Sequence, residues 1–205
     1  KSVAVGDING DGYDDIAVGV PSEGVGWGRR AKDRAGAVHI IYGSSSGASG
    51  TDSQWFYQNT SGWPDNSEKD DFFGSSLDVA DIDDNGYADI IVGVPGEDVG
   101  SKVDAGIIQI AYNPGDHATT STSVQTLNQA VPGVAGTIES GSKFGTFILA
   151  TDVTNDGIAD ILVGTPNKTV GSKQNAGIIS LFPTIEGKPS LISDQMFHAN
   201  QNSFA

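Results

Sequence analysis

Residues 79–95 read Val79-Ala80-Asp81-Ile82-Asp83-Asp84-Asn85-Gly86-Tyr87-Ala88-Asp89-Ile90-Ile91-Val92-Gly93-Val94-Pro95. An aspartate-rich loop with one glycine is followed at once by a short apolar run ending in Gly-x-Pro. The same cassette occurs at residues 5–21 (VGDINGDGYDDIAVGVP) and at residues 150–166 (ATDVTNDGIADILVGTP). The first aspartates, Asp7, Asp81 and Asp152, are 74 and 71 residues apart, a period that signals a repeat architecture. Other marks keep the register. Phe73-Gly74 and Phe144-Gly145 stand eight residues before an aspartate loop, and Ala35-Gly36, Ala105-Gly106 and Ala176-Gly177 open a later apolar run.

Within the second repeat, segments 76–82, 89–94, 106–112 and 123–127 are short, rich in β-branched residues and separated by Gly, Pro, Asp and Asn. No stretch keeps a 3.6-residue period over helical length. The pattern predicts an all-β chain built from four-stranded units. Radial repetition of such units is a β-propeller, in which each blade buries its faces against its neighbours. The expected blades are residues 1–72, which lack the first Phe-Gly, residues 73–143 and residues 144–203, with 204–205 opening a further one. About three blades are too few to close a ring, so the expected architecture is an incomplete ring or part of a larger propeller.

Each cassette carries oxygen side chains at loop positions 1, 3, 5 and 9. These are Asp7, Asn9, Asp11 and Asp15; Asp81, Asp83, Asn85 and Asp89; and Asp152, Thr154, Asp156 and Asp160. Three carboxylates within nine residues repel one another unless a cation joins them. Calcium accepts such hard, irregular oxygen sets, and the backbone carbonyl at position 7 (Tyr13, Tyr87, Ile158) is expected to complete them. Glycine at position 6 (Gly12, Gly86, Gly157) permits the turn. Turns of this composition also form without metal, but three in register favour about three calcium sites. The third is expected to be the weakest, because Thr154 is a neutral hydroxyl where the others have Asn or Asp. An EF-hand is excluded, since its position-12 Glu is replaced by Val18, Val92 and Val163 within apolar runs.

Phe-Gly, the aspartate loop and Gly-x-Pro together resemble the FG-GAP repeat of the integrin α-subunit head and of many secreted bacterial proteins. The likeness spans nearly the whole chain. It implies a calcium-stabilised β-propeller, commonly seven-bladed, with the metal loop joining the first two strands of each blade. It also implies an extracellular or cell-surface location, which suits calcium sites of modest affinity. The chain departs from the pattern in the Gly-x-Pro middle residue, Val20, Val94 or Thr165 in place of Ala.

Charge and composition agree with this reading. The formal charge is −15, from 26 acidic and 11 basic residues, which opposes binding to nucleic-acid phosphates. Eleven of the acids (Asp7, Asp11, Asp14, Asp15, Asp81, Asp83, Asp84, Asp89, Asp152, Asp156, Asp160) lie in the three loops. Cysteine is absent, and no apolar run is long enough to span a membrane. Residues 23–34 form a longer connection in the first repeat holding Trp27, Arg29, Arg30, Lys32 and Arg34. An aromatic beside cations on a loop is a candidate contact surface for an acidic protein or anionic glycan, although a solvated loop has the same composition. Trp55, Phe56, Tyr57 and Trp63 fall where a fourth strand belongs, and core packing is the expected role.

No catalytic constellation emerges. The three histidines occupy unrelated repeat positions, there is no Gly-x-Ser-x-Gly elbow, and the paired carboxylates are already committed to metal. The expected function is therefore a non-enzymatic, calcium-binding extracellular propeller module for adhesion or protein or ligand binding, with the remaining blades supplied by the same polypeptide or another copy. A lectin propeller and the accessory propeller of a secreted polysaccharide lyase or phospholipase are the alternatives.

Overall fold

The computed structural model describes residues 1–26, 28, 31–115, 123–192 and 194–199. The first blade comprises β1 (Ser2–Gly6), β2 (Asp15–Val20), β3 (Ala37–Tyr42) and β4 (Ser49–Phe56). The second comprises β5 (Ser76–Ala80), β6 (Asp89–Val94), β7 (Ile107–Tyr112) and β8 (Ser123–Leu127). Both sheets run in chain order, every neighbouring pair antiparallel. The third blade orders β9 (Phe147–Thr151), β10 (Asp160–Thr165), β11 (Ile178–Phe182) and β14 (Gln195–Phe197). A two-stranded hairpin, β12 (Thr184–Ile185) with β13 (Lys188–Pro189), is interposed before its last strand. The strands match the expected segments, with β5 ending two residues early because Asp81 and Ile82 belong to the aspartate loop. Phe204 and Ala205, read as opening a further blade, lie outside the described residues.

The blades stack face to face. The first strands β1, β5 and β9 lie side by side, the arrangement of strands nearest a propeller axis. The sheets do not close, so the chain forms three blades of an incomplete propeller. The middle blade is buried on both faces, and this explains why β6 and β7 are apolar at every position except Asp89, Gly93 and Gln109. Alternate side chains split between two cores. Ile90, Val92, Val94, Ile107 and Ala111 meet the first blade's Ala17, Val38, Ile40 and Phe56. Ile91, Ile108, Ile110 and Tyr112 meet the third blade's Ile161, Val163 and Phe182.

The aromatic-glycine pair locks each blade to the one before it. Phe73 is fully buried, edge-on to Phe56 and Trp63, and its N–H donates to the Ala35 carbonyl at 2.8 Å. A Cβ on Gly36 would lie 2.1 Å from the Phe73 carbonyl oxygen, so only glycine fits that crossing. The next junction repeats this: Phe144 N–H donates to Ala105 at 2.9 Å, and a Cβ on Gly106 would lie 2.2 Å from the Phe144 oxygen. The spacing from Ala-Gly to Phe-Gly thus encodes a contact between blades.

The aromatic group around residue 55 divides. Phe56 and Trp63 are core residues stacked at 5.0 Å. Trp55 and Tyr57 are not in the core, contrary to expectation, because strand alternation turns them to the other face. Trp55 is 43% exposed and stands edge-on to His39 and Tyr57.

Candidate metal centre

Each aspartate loop connects the first two strands of its blade, and in all three the first aspartate organises the turn by accepting backbone N–H groups. Asp7 Oδ1 accepts from Gly10 at 2.7 Å and its Oδ2 from Gly12 at 2.9 Å. Asp81 accepts from Asn85 at 3.1 Å and Gly86 at 2.8 Å, and Asp152 from Asp156 at 3.1 Å and Gly157 at 2.9 Å. The position-6 glycines have φ of 86°, 90° and 92°, as the turn requires. Residue 7 of each loop (Tyr13, Tyr87, Ile158) gives its N–H to the side chain of residue 5, at 2.9, 2.8 and 3.0 Å.

The ninth residue is the buried keystone. Asp15, Asp89 and Asp160 are fully buried. One oxygen of each accepts an N–H from the start of its own loop: Ile8 at 2.9 Å, Ile82 at 2.9 Å and Val153 at 2.8 Å. The other accepts an N–H from just after the third strand: Gly43 at 2.8 Å, Asn113 at 2.8 Å and, one residue further on, Thr184 at 2.9 Å. The sequence marks these aspartates but gives no sign of their partners some 25 residues onward, because those partners act through the backbone.

The loops differ in how their acids converge. Among the described residues, ligand atoms of three acids come within 4.8 Å of one another only in the second loop, from Asp81, Asp83 and Asp89. Loops 1 and 3 have their middle acid at position 5, and Asp11 and Asp156 turn back onto the N–H of residue 7. Asn9, instead of an acid, holds position 3 of the first loop and donates to Asp11 at 3.2 Å; Thr154 holds that position in the third.

Electrostatics in the second loop fit a divalent cation. Burial pushes Asp89 up to about 7, and Asp83 and Asp81 nearby push the same way. Asp83 is raised by burial and then by Asp81. Asp83 Oδ1 is buried with no hydrogen-bond partner. A carboxylate oxygen in that position is costly unless something positive meets it, and a bound cation would lower Asp83 and Asp89 together. The first loop shows the weaker form, with Asp15 raised by burial against three backbone donors.

Of the candidate contact loop, Trp27, Arg29 and Arg30 lie outside the described residues. Lys32 is exposed and pairs its backbone with Val25. Arg34 has part of its charge engaged within the molecule, in an ion pair with Asp70 and over the Phe72 ring at 5.8 Å. No helix among the described residues is long and apolar enough to cross a membrane.

Comparison with known proteins places these features. The family model of the FG-GAP repeat matches residues 1–41, 73–110 and 144–182. The phosphatidylinositol-glycan-specific phospholipase D of Mus musculus is 28% identical over 176 residues, covering 86% of this chain and 19% of the relative. Integrin alpha-3 of Cricetulus griseus is 40% identical over 91 residues, covering 44% of this chain and 7% of the integrin. Integrin alpha-5 of Xenopus laevis is 26% identical over 213 residues, covering 99% and 17%. The chain spans about a fifth of the length of the phospholipase D relatives.

Proposed function

Because the chain belongs to the FG-GAP repeat family, a family of propeller repeats shared with integrin α subunits, we propose that it is a calcium-binding, non-catalytic section of an extracellular β-propeller serving adhesion or the binding of a protein or glycan. The observation that carries this is the second loop. Three acids converge there, and one oxygen is buried without a partner. Asp81, Asp83 and Asp89 would hold the ion with Asn85 and the Tyr87 carbonyl; Asp7, Asn9, Asp11, Tyr13 and Asp15, and Asp152, Thr154, Asp156, Ile158 and Asp160, would serve loops 1 and 3. When bound, calcium supplies fixed positive charge and no chemistry; the residues themselves hold the first two strands of each blade in register. Ligand contact falls to the longer connections between strands, including Trp27, Arg29, Arg30, Lys32 and Arg34.

Calcium bound to the native state alone stabilises it by RT ln(1 + [Ca]/Kd), about 2.7 kcal/mol per site at a hundredfold excess over Kd. Chelation of a calcium-loaded sample should lower the melting temperature by several degrees. Identical melts with and without chelator would sink the metal reading.

A second reading has its own support. Similarity to phosphatidylinositol-glycan-specific phospholipase D covers most of the chain, so the module also fits as the accessory propeller of a lipid-anchor hydrolase. In that case the full-length polypeptide would carry a separate hydrolase domain, and deleting these repeats would impair action on membrane-anchored substrate more than on a soluble one.

A further inference from the structure

The geometry points to Asn113 and the β12–β13 hairpin as positioning elements that couple neighbouring metal loops, so that calcium binds adjacent loops cooperatively, each blade supporting the loop of the blade before it. This rests on the calcium reading above.

A short bonded path links loops 1 and 2. Asp89, the ninth residue of loop 2, accepts the Asn113 N–H at 2.8 Å. The Asn113 side-chain amide donates across the blade junction to the carbonyl of Ile8 in loop 1 and, within its own blade, to Ala88 at 3.3 Å. The Ile8 N–H is in turn held by Asp15, the ninth residue of loop 1, at 2.9 Å. Asn113 is buried, so these bonds are shielded from competing water. Two contacts reinforce the path. Ala88 N–H donates to the Asp7 carbonyl at 3.2 Å, and the Tyr87 ring lies so close over Gly10 that a Cβ there would come within 2.3 Å of it.

The second junction reaches the same end by another route. Thr184, at the repeat position of Asn113, gives its N–H to Asp160 at 2.9 Å and its hydroxyl to the Ala159 carbonyl at 2.7 Å. From that root the hairpin extends to its tip, where a Cβ on Gly187 would lie 3.2 Å from the Cα and carbonyl oxygen of Asp83. The tip and Asp83 line one cleft with Asn113 and Tyr112. Asp83 carries the oxygen that lacks a partner, so the hairpin braces the residue that most needs a cation. Ordering loop 3 around calcium fixes Asp160 and hence the hairpin root; the tip then restricts Asp83 and lowers the ordering cost at loop 2. A shared ordering cost is a coupling free energy, and it is reciprocal. The third loop gives this support and, among the described residues, receives none.

The test is a calcium titration of the 205-residue chain, with site-resolved isotherms from the amide resonances of Gly12, Gly86 and Gly157. Asp7→Ala disables loop 1. In the parent chain this should weaken binding at loop 2 about fivefold or more, the lower end of ordinary allosteric couplings. With Asn113→Ala in both chains, which keeps the backbone bond to Asp89 but removes the bridge to Ile8, the effect of Asp7→Ala on loop 2 should shrink to what the Ala88 and Tyr87 contacts carry. An unchanged coupling with Asn113→Ala, or no coupling in the parent, overturns the inference. Should Asn113→Ala fail to fold, Gly187→Val does the same work with Asp152→Ala, read at Gly86. Gly171→Val controls for backbone strain, since Gly171 also has positive φ but no neighbour within 4 Å. Three occupied, independent sites would defeat the coupling alone, whereas no saturable shift at any loop would defeat the calcium reading itself.

Discussion

Glu97 offers a quantitative test of how the blades are joined. It is 5% exposed at the junction of blades 1 and 2, where it accepts the Gln58 side-chain N–H at 2.6 Å. Burial, then the neighbouring Asp71, raises it from 4.5 to about 8, and Asp65 pushes the same way. Asp71, also buried, is raised by burial to about 6. A carboxyl whose folded pKa lies above its unfolded value holds its proton in the native state after the unfolded chain has lost it. Its contribution is therefore fully present below about 4.5 and declines as pH rises toward 8. At ~1.4 kcal/mol per pH unit, the interval from 4.5 to about 8 corresponds to roughly 5 kcal/mol as an upper bound. Glu97→Gln keeps the neutral shape and an acceptor for Gln58 and has no proton to lose. Urea unfolding in saturating calcium, which holds the aspartate loops constant, should give equal stability for the two proteins near pH 4. At pH 9 the variant should be more stable by several kcal/mol. Parallel pH profiles, or a variant less stable at pH 9, would show that Glu97 is ionised and favourably paired, and the reasoning would fail.

Three further outcomes follow from the packing. Phe144→Ala empties a fully buried site between blades 2 and 3 and should cost about 3–5 kcal/mol in urea unfolding; a loss under 1 kcal/mol would mean the junction contributes little. Asp83→Asn removes a negative charge that burial and the neighbouring Asp81 disfavour, so it should stabilise the calcium-free protein while weakening calcium at loop 2, and calorimetry with thermal melts reads both signs. Arg34→Ala breaks an ion pair whose arginine side chain is 51% exposed, and because solvent screens such a pair the urea midpoint should stay where the parent has it.

The cassette, recurring after 74 and then 71 residues, determined the fold class, because strand periodicity, turn residues and a repeated length are local properties that survive in a linear string. It also determined the aspartate loops, since residues 1 to 9 of each lie within one turn of chain and cannot separate far. Tertiary structure decided what the string does not hold. Three loops with nearly the same spelling converge differently: position 3 is an acid only in Asp83, and only there do three carboxylates meet. Trp55 and Phe56 are adjacent in sequence, yet strand alternation sends one to the outer face and the other to the core. Asn113, Thr184 and Gly187 carry no motif, because they act through backbone N–H groups, a cross-blade amide and the absence of a Cβ. Such contacts exist only once the blades have stacked, so the sequence specifies each blade and its loop, while the packing of blade on blade decides which loops are braced and how firmly.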